Sequence, residues 1–208
     1  GGRDERRVMQ MIRALHHRGP DAEDVQPAAG WWFGHARLAI IDLDARSNQP
    51  MTRGDTTVSF NGEIWNYRAL REELRAAGRQ FTTDGDTEVL VHAIDEWGLS
   101  ALRRLQGMFA IAWARGDEIW LARDRHGEVP LHWCPASGEF ASEERALRLV
   151  GARPEWFPPG SVARLDVSGS IQVLPWYPRL SEQPEISGSR PSDVARLVRH
   201  GAVERVIG

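Results

Sequence analysis

Lysine is missing from this sequence altogether: all 26 basic residues are arginine. Lysine codons are A-rich and most arginine codons GC-rich, so the bias reads as the mark of a high-GC genome and says little about function. Cysteine is almost missing too. A single thiol, Cys134, excludes an internal disulfide and suits a cytoplasmic chain. No apolar run nears the roughly 18 residues that a membrane-spanning helix needs. The charged opening GGRDERRVMQ lacks the apolar core of a signal peptide. Nor is there an excess of positive charge. The 26 arginines against 29 acidic residues leave a net −3, which speaks against nucleic acid or an anionic membrane as partner. No repeat with a period of roughly 20–50 residues is visible, and neither G-x-G-x-x-G nor a P-loop occurs.

What remains suits one domain, or one domain and a stub: 208 residues, of which 41% are hydrophobic, enough for a buried core. Val8, Met11, Ile12 and Leu15 predict an amphipathic helix over 5–15, which Gly19-Pro20 ends. WWFGHARLAIID (31–42) reads as a buried strand pair or one long strand, and 56–61 as another strand. Helices are expected over 67–77, with Asn66 as cap and Gly78 as stop, and over 83–98. After a short helical turn at SALRRLQG the period drops to two. Three hairpins follow, around residues 115–117, 135–138 and 168–170, with a short helix at EERALRLV. Residues 179–192 look like a linker, and helical spacing resumes at Val194, Leu197 and Val198. Strands and helices in this order predict an α+β sandwich and not a doubly wound sheet.

Several polar residues fall where strands meet loops: Arg37, Asn61-Gly62-Glu63 and Asp86. Singly, each has a structural reading. Arg37 reads as a surface ion pair, Asn61 as a turn former in the turn dipeptide Asn-Gly, and Asp86 as a helix N-cap. Together they make chemical sense. An arginine fork holds an α-carboxylate, an aspartate holds an α-ammonium, and a side-chain amide beside a backbone N–H stabilises an oxyanion. That describes a site for an amino acid whose far end undergoes acyl transfer. His16 and His17 are a poor metal pair, because neighbours on a helix point about 100° apart. The nine tryptophans suit packing better than carbohydrate stacking.

HHRGPD, GHARLAIID, SNQPM, FNGEIWNY, GDTEVL, LQGMFAIAW, ARDRHGEVPLHW, ASEERAL and FPPGSVARLD follow one another in this order. The series resembles class II glutamine amidotransferases, in particular the N-terminal glutaminase domain of the asparagine synthetase type, over about residues 5–177. The resemblance implies a four-layer αββα sandwich of the N-terminal-nucleophile hydrolase type, with two antiparallel sheets. It implies that Arg37 binds the glutamine carboxylate, that the backbone near Ile40 lines the same pocket, that Asn61 and Gly62 form an oxyanion hole, and that Glu63 and Asp86 hold the amine. It divides the chain into an amidotransferase-like domain at 1–178, the linker at 179–192, and the start of a truncated synthetase domain at 193–208. The partners it implies are glutamine and a synthetase domain in cis or trans, with a homodimer among the assemblies it allows. No cofactor is expected in this chain; ATP and magnesium are expected for the synthetase domain.

The family nucleophile is an N-terminal cysteine whose own α-amine serves as base, whereas this sequence begins Gly1-Gly2. The expectation is therefore a nucleophile upstream of Gly1, and no glutaminase activity in the chain as written. Cys134 reads as a buried inert thiol. Glu128-Val129 stand where an apolar residue followed by a basic one is common. Two functions follow: the glutaminase portion of a glutamine-dependent asparagine synthetase-like enzyme, or a degenerate amidotransferase domain kept as a structural or binding module.

Overall fold

Between Gly107 and Arg115 large and small side chains alternate, and the alternation separates the two faces of a sheet. Phe109, Ile111 and Trp113 belong to one core, and Ala110, Ala112 and Ala114 to another. The computed structural model describes residues 1–38, 44–165 and 171–177. Its strands are β1 (Ala22–Ala28), β2 (Trp31–Arg37), β3 (Met51–Arg53), β4 (Thr56–Ile64), β5 (Gly107–Arg115), β6 (Glu118–Arg123), β7 (His132–Trp133), β8 (Phe140–Ala141), β9 (Glu155–Trp156), β10 (Ser161–Leu165) and β11 (Ile171–Pro175). Its α-helices are α1 (Glu5–Ala14), α2 (Tyr67–Ala76), α3 (Asp86–Trp97), α4 (Ala101–Arg104) and α5 (Glu144–Leu149).

Six strands form one antiparallel sheet in the order β11-β10-β6-β5-β4-β3. The second layer has two parts, β1-β2 and β8-β7-β9. Gly1 and Gly2 bridge them: Gly2 exchanges N–H···O bonds with Trp32 at 3.0 and 2.7 Å, and the Phe140 N–H donates to the Gly1 carbonyl at 3.1 Å.

Three cores define the layers. Leu70 and Leu74 of α2 and Val89, Leu90 and Ile94 of α3 pack on the Phe109 face of the large sheet. The alanine face of β5 meets Trp31, Phe33, Trp133 and Phe140 of the second layer. Small side chains there let two sheets approach over bulky partners. Val8, Met11 and Ile12 of α1 and Ala146 and Leu147 of α5 close the outer side. Each fully buried Leu or Phe among these contributes about 1.5–3 kcal/mol. The result is the expected αββα sandwich, with both sheets antiparallel.

Most of the expected elements form. The hairpins β5-β6, β7-β8 and β10-β11 pair as their alternation predicts. Three local expectations are corrected. Asn61-Gly62 is not a turn; β4 runs on through it to Ile64, pairing Asn61 with Ala110 and Gly62 with Phe109. Asn66 stands at the head of α2 without capping it by its side chain. Its amide instead spans to Arg104 O and Gln106 N–H, at 2.9 Å each, because that distant turn offers a better-matched donor and acceptor. Asp86 is the first residue of α3, whose N-cap is Gly85. Strand β1 was not expected at all. His16 and His17 bond to Glu23 and Glu143, both at 2.9 Å, in keeping with hydrogen bonding over metal ligation. Ile40, the linker at 179–192 and the segment 193–208 lie outside the described residues. Among the described residues no helix is long and apolar enough to cross a membrane.

Candidate active site

The far end of β4 carries the site. Antiparallel pairing turns alternate backbone groups to alternate sides. The N–H and C=O of Phe109 are engaged with Asp124, on the β6 side. The pair Gly62–Phe109 is therefore of the non-hydrogen-bonded kind, and Phe60, Gly62 and Ile64 turn their N–H groups to the opposite edge. Strand β3 covers β4 only from Val58 back to Thr56, so it does not reach them. Side chains take over at two of the three. The Phe60 N–H donates to Gln49 Oε1 at 2.6 Å, and the Ile64 N–H to Asp86 Oδ2 at 3.0 Å. The Gly62 N–H lies between these two, facing a cleft.

Only glycine suits position 62. Its φ is 139°, and a Cβ there would stand 2.1 Å from the Met108 carbonyl oxygen. Gly116, in the β5-β6 turn, also has positive φ but open space around its Cβ position. Gly62→Ala is expected to cost about 3 kcal/mol or more, strain and clash together, against about 1 kcal/mol for Gly116→Ala. Urea unfolding of the two variants compares them, and equal losses would contradict the close approach.

The cleft measures about 580 Å³, and Arg37, Asn61, Gly62, Glu63 and Asp86 all line it. Of the residues expected from sequence, only Ile40 is not placed. Arg37 is buried rather than on the surface; its guanidinium donates to Asp44 O at 3.1 Å and Asn48 Oδ1 at 2.6 Å. The Asn61 side-chain N–H₂ is buried with no hydrogen-bond partner among the described residues. A buried donor without an acceptor costs about 1–3 kcal/mol, which an acceptor brought against it would recover. Burial raises the Asp86 carboxyl above the ordinary aspartate value and the Glu63 charge adds to it, against the amides of Ile64, Asp86 and Thr87. His35 also lines the cleft. Burial, helped by the Arg37 charge, pushes it down to about 4, so it is neutral at physiological pH.

Asp86 is presented by a clamped loop. Arg71, buried, donates to the Thr83 and Gly85 carbonyls at 2.7 and 2.9 Å. Glu88, in the first turn of α3 and fully buried, accepts from the N–H and hydroxyl groups of both Thr82 and Thr83. It also accepts from Arg53 Nε of β3 at 2.9 Å.

The sequence profile described as "Glutamine amidotransferase domain" matches residues 1–157. This chain belongs to the glutamine amidotransferase domain family. It is 40% identical over 152 residues to glutamine-hydrolyzing asparagine synthetase 1 of Bacillus subtilis (strain 168), which covers 70% of this chain and 24% of that protein. It is 38% identical over 210 residues to glutamine-hydrolyzing asparagine synthetase 3 of Arabidopsis thaliana, covering 97% of this chain and 35% of the relative. The chain thus spans about a quarter to a third of the length of these relatives. Among solved structures, the glutamine phosphoribosylpyrophosphate amidotransferase of B. subtilis superposes with a TM-score of 0.71 at 21% identity, over 83% of this chain and 46% of that one. That likeness is one of fold.

The cleft receives no thiol from these 208 residues. Cys134 is buried at the end of β7 and is not among the cleft-lining residues. It is less inert than its burial suggests. Burial pushes the thiol up, but the Ser137 hydroxyl and the amides of Arg153, Ser137 and Ala136 outweigh it and leave it below the ordinary value. Gln49 was missed in the sequence although it stands in SNQPM. Thr82, Thr83 and Glu88 were missed in the same way around GDTEVL.

Proposed function

We propose that this amidotransferase domain binds free glutamine in the β4 cleft and is the glutaminase portion of an asparagine synthetase-like enzyme. One observation carries the reading. Asn61, with its unpartnered amide, and Gly62 line one cleft whose charged groups include buried Arg37 and Asp86. The Arg37 fork pairs with the α-carboxylate. Asp86, with Glu63 beside it, takes the α-ammonium, and a cation is the one partner that repays an ionised buried carboxylate. The far amide then reaches Asn61 Nδ2 and the Gly62 N–H. These are preorganised donors for the oxygen that turns anionic when a nucleophile attacks the amide carbon.

In the full reaction on this reading, ammonia from glutamine amidates aspartate or a related carboxylate in a synthetase domain, joined in cis or supplied in trans. ATP and magnesium belong to that domain. Among the described residues two arginines, Arg18 and Arg37, line the β4 cleft against three carboxylates, Glu63, Asp86 and Glu128, a balance that fits an amino acid and not a triphosphate. A polypeptide of these 208 residues brings the donors but no cleft thiol, so it is expected to bind glutamine without hydrolysing it. Calorimetric titration should show glutamine binding that Arg37→Ala and Asp86→Ala each weaken at least tenfold, with no glutamate released. Equal affinity in all three proteins would overturn the site. Turnover abolished by Cys134→Ala would overturn the assignment of Cys134 as a bystander.

A further inference from the structure

Beyond β3 the edge of β4 is held by a side chain, Gln49, that also lines the cleft. The register that pairs Met51 with Val58 brings residue 49 opposite Phe60. There the side chain of Gln49 stands in for the backbone: its Oε1 accepts the Phe60 N–H at 2.6 Å. Its Nε2 donates to Thr87 Oγ1 at 3.3 Å. Both partners sit one residue from the site, Phe60 before Asn61 and Thr87 after Asp86. Gln49 and Thr87 are buried, and the bond between them spans from the β3 side to α3. The preceding residue, Asn48, is the one that receives Arg37.

We infer that Gln49 is a positioning residue of the glutamine site, fixing the distance between the amide-binding donors of Asn61 and Gly62 and the amine-binding carboxylate of Asp86. The inference rests on the reading that the β4 cleft binds glutamine. A buried side-chain amide satisfied at both ends has one low-energy placement. If either bond is lost, β4 and the head of α3 stay tied through the Ile64 N–H and Asp86 Oδ2, and the stretch of β4 at Asn61-Gly62 loses its own tie to α3. The amino-acid head of a ligand still finds Arg37 with its carboxylate and Asp86 with its ammonium. The far amide no longer meets its donors, because a misplacement of even about 1 Å forfeits hydrogen bonds of this kind.

The test compares two ligands on the 208-residue chain. Glutamine has both ends, and norvaline has the same amino-acid head with no amide. Their affinity ratio, measured by calorimetry, reads the amide donors alone. In Gln49→Met and in Thr87→Val the ratio is expected to fall roughly tenfold, through weaker glutamine binding at unchanged norvaline affinity. Thr87→Ser keeps the acceptor oxygen and should restore the wild-type ratio. A residue that merely supported the fold would weaken both ligands together, so parallel losses overturn the inference. An unchanged ratio in Thr87→Val, in a protein that unfolds like wild type, overturns it as well, even if Gln49→Met fails to fold. Failure of the wild-type chain to bind either ligand would overturn the glutamine reading and this inference together, and is distinguished by that result.

Discussion

Glu88→Gln should destabilise the domain by about 3 kcal/mol at neutral pH, and that loss should shrink on acidification. Glu88 is fully buried, yet it is an acid and not a hydrophobe. Burial alone would raise its carboxyl. The hydroxyl and amide of Thr83, Arg53 and Thr82 outweigh burial and draw it down from 4.5 to about 2. A carboxylate depressed in the folded state contributes stability that is fully present above its unfolded value, near 4.5. That stability is lost as pH falls through the folded value of about 2. Glutamine keeps the shape and one oxygen but not the charge. Glu88→Ala removes both and strands a set of buried donors, so it is expected to cost about 3–5 kcal/mol. Urea unfolding of wild type and Glu88→Gln across pH 2 to 7 measures the effect. A difference that stays constant with pH, or stays under about 1 kcal/mol, would show that Glu88 is only packed and not used as an anion.

The alternation of Phe109, Ile111 and Trp113 with Ala110, Ala112 and Ala114 is local, and the sheet it implies is there. The set Arg37, Asn61, Gly62 and Asp86, expected because each residue type would answer one group of an amino acid, is brought to one cleft. Strand β1 was not legible. It contains Glu23, Asp24, Gln26 and Pro27, is half exposed, and shows no period of two. Its pairing with the seven residues of β2 supplies the register that its own side chains do not specify. The Asn61-Gly62 dipeptide misled because its turn preference is a local statement. The Met108 carbonyl, more than 40 residues away, decides that Gly62 sits inside a strand. Gln49 was invisible for a related reason. Its role depends on where β3 stops relative to β4, which is a fact of register and not of composition.

Asp86 offers the sharpest separation of binding from stability. In this fold its carboxyl is raised, by burial first and then by Glu63. The sign is opposite to that of Glu88. A carboxyl raised in the folded state is more easily protonated there than in the unfolded chain. Stability is then lost as pH rises from the ordinary value through the raised one, and the neutral-pH fold carries that cost. Asn in place of Asp keeps an oxygen for the Ile64 N–H, which now bonds to Asp86 Oδ2 at 3.0 Å, and removes the charge. Asp86→Asn is therefore expected to be more stable than wild type at pH 7, with the advantage vanishing below the ordinary carboxylate range. Its glutamine affinity should nonetheless fall by at least about 30-fold, since the ammonium loses a buried counter-ion. Wild-type binding should weaken as pH falls toward the raised value, while the residual binding of Asp86→Asn stays flat over that window. Thermal unfolding and calorimetry on the two proteins give both readings. A variant that is less stable yet binds glutamine normally would place Asp86 in the framework of α3 rather than in the site. A residue whose charge costs the empty fold and serves the occupied one is what a binding site requires, and Glu88, two positions along the same helix, shows what an anion kept for the framework looks like instead.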